Sequence, residues 1–220
     1  MLKLFAQFVS ILFHPLLMMT YMLVILLLVN PYLFGVNSLN GGMNLVIPVF
    51  LFTFFIPALA VSMMKFLGLV QSFAMEDRMD RIGPYIITGI FYLWIFRNFL
   101  SNSEIPTAYT SFVLGGVIAL FVAFFINIFS KISLHAVGMG GLMGMVIITM
   151  FLFSYGAFTV DIPSIGNVQM SMLTILLITI LLTGLVGTCR LILSAHRPVD
   201  LYGGYLVGFL TQFLALRFLF

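Results

Sequence analysis

Charged side chains are scarce in this 220-residue chain. Nine Lys and Arg and six Asp and Glu make up 7% of it, against 63% hydrophobic residues. Soluble domains carry roughly 25% charged residues, which they need to cover a surface that faces water. A mean hydropathy of +1.25 therefore excludes an ordinary soluble domain, and disordered chains are excluded because they are polar and poor in aromatic residues. The composition predicts an all-α, polytopic integral membrane protein, with residues 1–220 forming a single membrane domain.

Cysteine is nearly absent as well. Cys189 stands alone, which excludes a disulfide within the chain. The formal net charge of +3 comes from so few residues that their placement matters more than their sum. We expect no nucleic-acid partner and no cofactor, and the spacing of His, Cys, Asp and Glu gives no clear metal-ligand pattern.

Apolar runs dominate what is present. A membrane-spanning helix needs about 20 mostly apolar residues, and the sequence predicts a transmembrane helical bundle of about seven such spans. The residues before His14 are expected to form an interfacial amphipathic helix, with Lys3 and Gln7 among the lipid headgroups. The predicted spans are about Leu16–Phe34, Leu45–Met64, Pro84–Leu100 (the shortest), Thr107–Phe129, Ala136–Phe158, Val168–Thr188 and Asp200–Leu219.

The few charges are grouped, and glycines recur at close spacing. Even numbers of predicted spans separate the segments Lys65–Arg81, Lys131–His135 and Arg190–Asp200, so all three emerge on one membrane face. Ionisable residues at a membrane are costly and commonly mark function or orientation, so the grouping indicates a composite polar site. The pairs Gly140/Gly144 and Gly204/Gly208 have a spacing that allows helices to approach closely.

The segment Cys189–Asp200 carries the most chemical information. Pro198 suits the first position of the last helix, where a missing N–H costs nothing. Asp200 follows His196 by four residues and could accept a hydrogen bond from one imidazole nitrogen, which leaves the other nitrogen free as a nucleophile or base. Arg190 offers a planar, permanently charged group suited to phosphate oxygens.

The segment Lys131–His135 opens the fifth predicted span. Ser133 is expected to be the N-cap of that helix. The free N–H groups at a helix N-terminus favour an anion there. His135 could serve as a general acid beside such an anion.

The sequence here resembles the type 2 phosphatidic acid phosphatase superfamily, which includes lipid phosphatases and undecaprenyl diphosphate phosphatases. Its third motif, Ser-Arg-x5-His-x3-Asp, is matched by Arg190, His196 and Asp200 at full spacing, with Cys189 in place of the serine. The resemblance covers about residues 107–208. It implies a six-helix core as an alternative to seven spans.

The family's second motif, Pro-Ser-Gly-His, is matched in part. Ser133 and His135 stand at the matching positions, while Ile132 and Leu134 replace the proline and the glycine. The two motifs also lie at the family's topological distance, which strengthens the resemblance.

The resemblance implies a metal-independent hydrolase that cleaves a lipid phosphate or isoprenoid diphosphate. It implies that His196 is the nucleophile, forming a phosphohistidine, and that Asp200 orients it. His135 would be the acid for the leaving group, and Arg190 and Ser133 would hold phosphate oxygens.

The family's first motif, Lys-x6-Arg-Pro, is not reproduced. Arg78 and Arg81 stand in its place without the lysine spacing or an Arg-Pro pair, and Lys131 is an alternative phosphate contact. The two arginines could instead pair with acidic residues of their own segment. Those acidic residues are Glu76, Asp77 and Asp80.

Other interpretations remain open. The same cations could hold an anionic headgroup without chemistry, in a lipid-binding protein or a transporter, and a purely structural membrane subunit is a third reading. His14 is interpreted as an interfacial anchor.

Localisation is expected to be a bacterial inner membrane. The count of Lys and Arg on short loops favours a cytoplasmic site, whereas the resemblance favours the external face. The expected partners are the bilayer and a membrane lipid phosphate as substrate.

Overall fold

The computed structural model describes residues 1–73, 75, 77–162 and 166–220 of the chain. The protein is 78% helical with one small two-stranded sheet, which confirms the all-α fold class. The helices are α1 (Leu2–Leu12), α2 (Met18–Val29), α3 (Leu39–Phe50), α4 (Ile56–Phe66), α5 (Ile82–Ser101), α6 (Thr107–Phe129), α7 (Leu134–Ile148), α8 (Met172–Ile192) and α9 (Pro198–Leu219). The strands are β1 (Ala157–Ile162) and β2 (Gly166–Ser171).

Short turns of other helical types join or extend these helices. The 3₁₀ turns are Pro15–Leu17, Pro31–Phe34 and Met79–Arg81, and the π turns are Leu51–Phe55 and Thr149–Phe153. The first π turn joins α3 to α4, so residues 39–66 form one helical segment. Pro48 and Pro57 flank this π turn, and each removes a backbone donor that a regular α-helix would use.

Six helical segments are long and apolar enough to cross a membrane, which identifies an integral membrane protein. They are Leu2–Val29, Leu39–Phe66, Thr107–Phe129, Leu134–Phe153, Met172–Ile192 and Pro198–Leu219. Helix α5 covers the third predicted span with 20 residues, about 30 Å of helix, but it is not one of the six. Arg97 and Asn98 lie near its C-terminal end and make it more polar.

The boundaries predicted on either side of residue 160 are wrong. The predicted spans Ala136–Phe158 and Val168–Thr188 run into residues that form a β-hairpin, in which Phe158 pairs with Met170 and Val160 with Val168. The predicted spans took in only residues 157–158 and 168–171 of the hairpin, because hydropathy shows where an apolar run lies but not where its helix ends.

The N-terminal segment contains a break at His14. Helix α1 has 11 residues, about 16 Å, which is too short to cross a bilayer alone. It packs against α8 and buries Ala6, Val9 and Ser10. His14 has an extended backbone, and Pro15 starts the 3₁₀ turn that leads into α2.

Helices α7 and α9 make the most extensive helix–helix contact in the described chain. A Cβ at Gly208 would overlap the carbonyl oxygen of Val137, and one at Gly204 would lie 2.8 Å from the carbonyl oxygen of Ser133. The close approach predicted from the glycine spacing is therefore confirmed for α9. The N-termini of the two helices meet, since the Ser133 N–H donates to the carbonyl oxygen of Asp200 at 3.2 Å. This contact brings the two most informative sequence segments side by side.

Candidate active site

A cavity of about 1010 Å³ lies inside the bundle, lined by residues of α1, α2 and α4 to α9 and of their connections. Each of the segments Lys65–Arg81, Lys131–His135 and Arg190–Asp200 contributes residues to its lining, which agrees with their predicted position on one membrane face. The basic residues lining it are His14, Arg81, Lys131, His135, Arg190 and His196.

The cavity also extends along α9 toward the middle of the bundle. Gln212 lines it as well, and Gln212 follows Asp200 by 12 residues, about 18 Å of helix. Apolar side chains of α2 and α6, including Met19 and Phe112, form the walls at that depth. A cavity with cations near the helix ends and apolar walls further in suits an amphiphilic ligand.

The His196 side chain lies beside Asp200, as predicted from the spacing. Its Nδ1 is 3.6 Å from Asp200 Oδ2, and the two side chains are only 4% and 3% exposed. This distance is too long for a hydrogen bond but short enough for a strong electrostatic interaction. Asp200 Oδ2 also accepts the backbone N–H of Arg197 at 3.1 Å, so the carboxylate caps α9. With Nδ1 toward Asp200, Nε2 is the ring nitrogen left for a ligand.

The surroundings of His196 keep its ring neutral. Burial, with the charges of Arg190 and Arg81, lowers the pKa of His196 to about 4, although Asp200 acts in the opposite direction. Burial also lowers the pKa of Arg81, with Tyr85 and Asp200 acting in the opposite direction. Because these charge effects weaken with distance, they indicate that the guanidinium groups, His196 and Asp200 form one electrostatic cluster.

The N-terminal helix holds His135 and Arg190 in place. His135 Nε2–H donates to the carbonyl oxygen of Ser10 at 3.0 Å, which assigns the lone pair of a neutral ring to Nδ1. Arg190 Nη1 donates to Ser10 Oγ at 3.4 Å, and its Nε is buried without a hydrogen-bond partner among the described residues. Arg190 thus retains donor capacity for a bound anion.

His14 lies in the cavity, which the sequence did not predict. Its ring meets that of His135 edge to face, with centroids 5.6 Å apart. Its Nδ1 accepts the N–H of Leu16 at 3.3 Å, so it caps the 3₁₀ turn. No local pattern could have revealed this position, because His14 and His135 are far apart in the chain.

Two predicted phosphate contacts are not brought to the cavity. Ser133 is fully buried and is the N-cap of α7, as predicted, with Oγ accepting the N–H of Ala136 at 3.4 Å. Arg78 is exposed, and its Nη1 donates to the carbonyl oxygens of Phe129 and Ile128 at 2.7 and 3.3 Å. Arg78 thereby satisfies carbonyl groups at the C-terminus of α6.

Arg81 joins its loop to the start of α7. Its Nε donates to the carbonyl oxygen of Met75 at 2.9 Å, and its Nη1 to that of Ile132 at 3.3 Å. Within the part of the chain that the structure describes, neither Arg78 nor Arg81 forms a salt bridge with Asp77 or Asp80. Glu76 lies outside the described residues.

The described residues contain no group of three or more His, Cys, Asp or Glu side chains that could hold a metal ion. Comparisons of the chain with protein-family models, with curated proteins and with solved structures give no match.

Proposed function

We propose that this protein is a membrane phosphatase that hydrolyses a lipid phosphate or isoprenoid diphosphate through a phosphohistidine intermediate. The observation that carries the proposal is the convergence of His196, backed by Asp200, with His135 and the cations around one cavity. The resemblance to the type 2 phosphatidic acid phosphatase superfamily supports the same reading and implies that no metal takes part.

Arg190, Arg81 and Lys131 would bind the phosphate group. A phosphoester resists hydrolysis largely because an anionic group repels the attacking nucleophile. Cations held in position before the reaction reduce that repulsion and stabilise charge on the phosphoryl oxygens. The burial of Arg190 and Arg81 strengthens this effect, because water screens buried charges less.

His196 Nε2 would attack phosphorus in line with the leaving oxygen. The N–P bond forms and the P–O bond to the lipid breaks, and the ring gains positive charge that Asp200 offsets. A substrate that carries one acidic proton gives it to His135 Nδ1, which passes it to the leaving oxygen. A lipid phosphate then departs as an alcohol, and an isoprenoid diphosphate departs as the isoprenoid monophosphate.

Water would then cleave the phosphohistidine. His135 Nδ1 takes one proton from the water as its oxygen bonds to phosphorus, and the N–P bond breaks. The products are inorganic phosphate and a neutral His196, and His135 passes the proton on to the departing phosphate, which returns its ring to the neutral form. The hydrogen bond of His135 Nε2–H to Ser10 suits both steps, because it leaves Nδ1 to take and give the proton.

The apolar part of the cavity would receive the lipid chain. Its walls reach as far as Gln212 and consist mainly of hydrocarbon side chains. Such walls distinguish poorly between alkyl and isoprenyl chains, so the phosphate end determines the substrate class.

A second function is favoured by one specific observation. Ser133 and Arg78 point away from the cavity, which leaves fewer phosphate contacts than the resemblance implies. A lipid-headgroup-binding protein or transporter would need the remaining cations but not a nucleophile.

The deciding experiment measures phosphate release by protein purified in detergent. The substrates are phosphatidic acid, phosphatidylglycerol phosphate, undecaprenyl diphosphate and lipid A phosphates. We expect turnover on at least one of them and a loss of at least about 1,000-fold for His196→Ala. Rapid acid-free quenching with a ³²P-labelled substrate should trap an alkali-stable, acid-labile phosphoprotein in the wild type alone.

Arg190→Gln and Arg217→Gln form a matched pair for this assay. Arg190 lines the cavity, whereas Arg217 is exposed near the C-terminus of α9. The first substitution should raise KM and lower kcat, and the second should change neither. Saturable binding of these lipids without turnover would exclude the phosphatase and support the binding protein.

A further inference from the structure

The N-terminal segment contributes more than packing to the cavity. Ser10 contacts both His135 and Arg190, and four residues later His14 enters the same cavity. The chain break at His14 and Pro15 is what turns the imidazole inward, because a continuous helix would not offer the Leu16 N–H to His14.

The hydrogen bond at His14 Nδ1 determines which ring nitrogen carries the proton. Nδ1 accepts the N–H of Leu16, so it presents a lone pair, and the proton of the neutral ring is on Nε2. Among the hydrogen bonds of the described residues, none uses this Nε2. The ring itself is held between Phe54 and His135, with edge-to-face contacts to both.

We propose that His14 is a substrate-binding residue, whose Nε2–H donates a hydrogen bond to an oxygen of the bound phosphate group. This inference rests on the proposed function for the identity of the substrate. It assigns a phosphate contact to a residue 121 positions before His135 and 182 positions before His196.

A neutral donor has a specific use beside Arg190 and Lys131. It adds a hydrogen bond to the anion without adding a further positive charge to a site that already holds several. It also stands beside His135, the group that would exchange a proton with the leaving oxygen. His14 would therefore help to hold the phosphate close to His135.

His14→Asn and His14→Gln separate the two roles of the ring. Asn can place an oxygen near the position of Nδ1 and keep the cap on Leu16, but it has no donor at the position of Nε2. Gln reaches that position with its amide N–H₂. We expect His14→Asn to raise KM for the lipid phosphate about 10-fold, and His14→Gln to recover most of that loss.

Binding of inorganic phosphate and of orthovanadate by calorimetry provides a readout that does not require turnover. The Kd should rise about 10-fold in His14→Asn and remain within about 3-fold of wild type in His14→Gln. If the wild type binds these anions without any turnover, the phosphatase proposal fails, while the Kd of His14→Asn still decides the role of His14. An unchanged Kd in a His14→Asn protein with a normal melting curve would overturn the inference.

A further test measures the wild-type cavity itself and uses a variant only to assign a signal. In a sample labelled with ¹⁵N-histidine, saturating phosphate should shift the Nε2 resonance of His14. The His14→Gln sample identifies that resonance by its absence. A His14 resonance that stays fixed while phosphate binds would also refute the assignment.

Discussion

The environment of His196 determines when its ring takes up a proton. In the unfolded chain a histidine is protonated below about pH 6.5, whereas the pKa of His196 in the fold is about 4. Between these values the unfolded state binds the extra proton, so His196 lowers the stability of the fold as the pH falls from 6.5 to 4. At neutral pH its lone pair is available for attack on phosphorus.

Titration by ¹⁵N NMR in detergent micelles should place the midpoint of His196 near pH 4, with His196→Gln used to assign the signal. The melting temperature should fall less between pH 6.5 and 4.5 in His196→Gln than in the wild type. A His196 midpoint at pH 6 or above would contradict the cationic surroundings that the structure gives this ring.

Asp200 has two partners, and they can be separated by substitution. Asp200→Asn keeps an oxygen that can accept the Arg197 N–H, but it removes the charge beside His196 Nδ1. We expect kcat for lipid phosphate hydrolysis to fall by about 100-fold or more while the melting temperature changes little. Equal kcat values for Asp200→Asn and wild type would exclude a role for this carboxylate in the reaction.

Some site residues could be predicted from the sequence, and others could not. Arg190, His196 and Asp200 lie within 11 positions, at the end of α8, in the short connection and at the start of α9. The connection is short enough to bring them together, as the structure shows. His14 reaches the cavity only through packing of distant segments. Ser133 was predicted as a phosphate contact and does not reach the cavity. A serine that caps a helix and a serine that binds phosphate have the same local sequence signal, and only the packing of α7 decides between them.

At the level of helices, the contact between α7 and α9 positions the whole site. Gly208 faces the backbone of α7, where a Cβ would overlap the Val137 carbonyl oxygen. Gly203, on the same helix, faces open space, with nothing within 4 Å of an added Cβ. The two glycines therefore form a matched pair for substitution by alanine.

Gly208→Ala should force the two helices apart, lower the melting temperature in detergent by several degrees and reduce phosphate release. Gly203→Ala should leave both unchanged or slightly raise stability, because alanine favours the helix. If the two variants behaved alike, close packing at Gly208 would not be what holds His135 and His196 at one cavity.

Helix positions were predictable to different extents. The bounds of α6, Thr107–Phe129, were predicted from its long apolar run, because that run contains no proline or charged residue to interrupt a helix. The hairpin at residues 157–171 was missed, since the predicted spans extended into its outer residues and left only its middle as a connection. His14 and Pro15 indicated the break between α1 and α2, but hydropathy could not predict that the His14 side chain would line the cavity.

At the level of the whole molecule, the Lys and Arg residues bear on which face of the membrane the site occupies. Arg81, Lys131 and Arg190 line the cavity, so they are explained by the site and carry no weight as topology signals. The cations left over number four on the site face and two on the opposite face, and this small excess favours a cytoplasmic site. They are Lys3, Lys65, Arg78 and Arg197 on the site face and Arg97 and Arg217 opposite. We propose the external face of a bacterial inner membrane, as the resemblance implies.

The C-terminus should lie opposite the site. Helix α9 starts beside His196 and has 22 residues, about 33 Å, which is enough to cross a hydrocarbon core of about 30 Å. Because Cys189 is the single cysteine and is buried, Cys189→Ala provides a background for reporter cysteines. Arg197→Cys marks the site face with a position whose side chain is 80% exposed, and Phe220→Cys marks the other end.

A membrane-impermeant maleimide applied to right-side-out vesicles should label Arg197→Cys at once and Phe220→Cys only after detergent is added. The reverse order would place the site in the cytoplasm and leave the bundle intact. Labelling of both positions from the same side would contradict the crossing of α9. A lipid phosphate in the outer leaflet can reach the cavity only if the site faces outward. The same vesicles should therefore release phosphate from it only if Arg197→Cys is the position that is labelled without detergent.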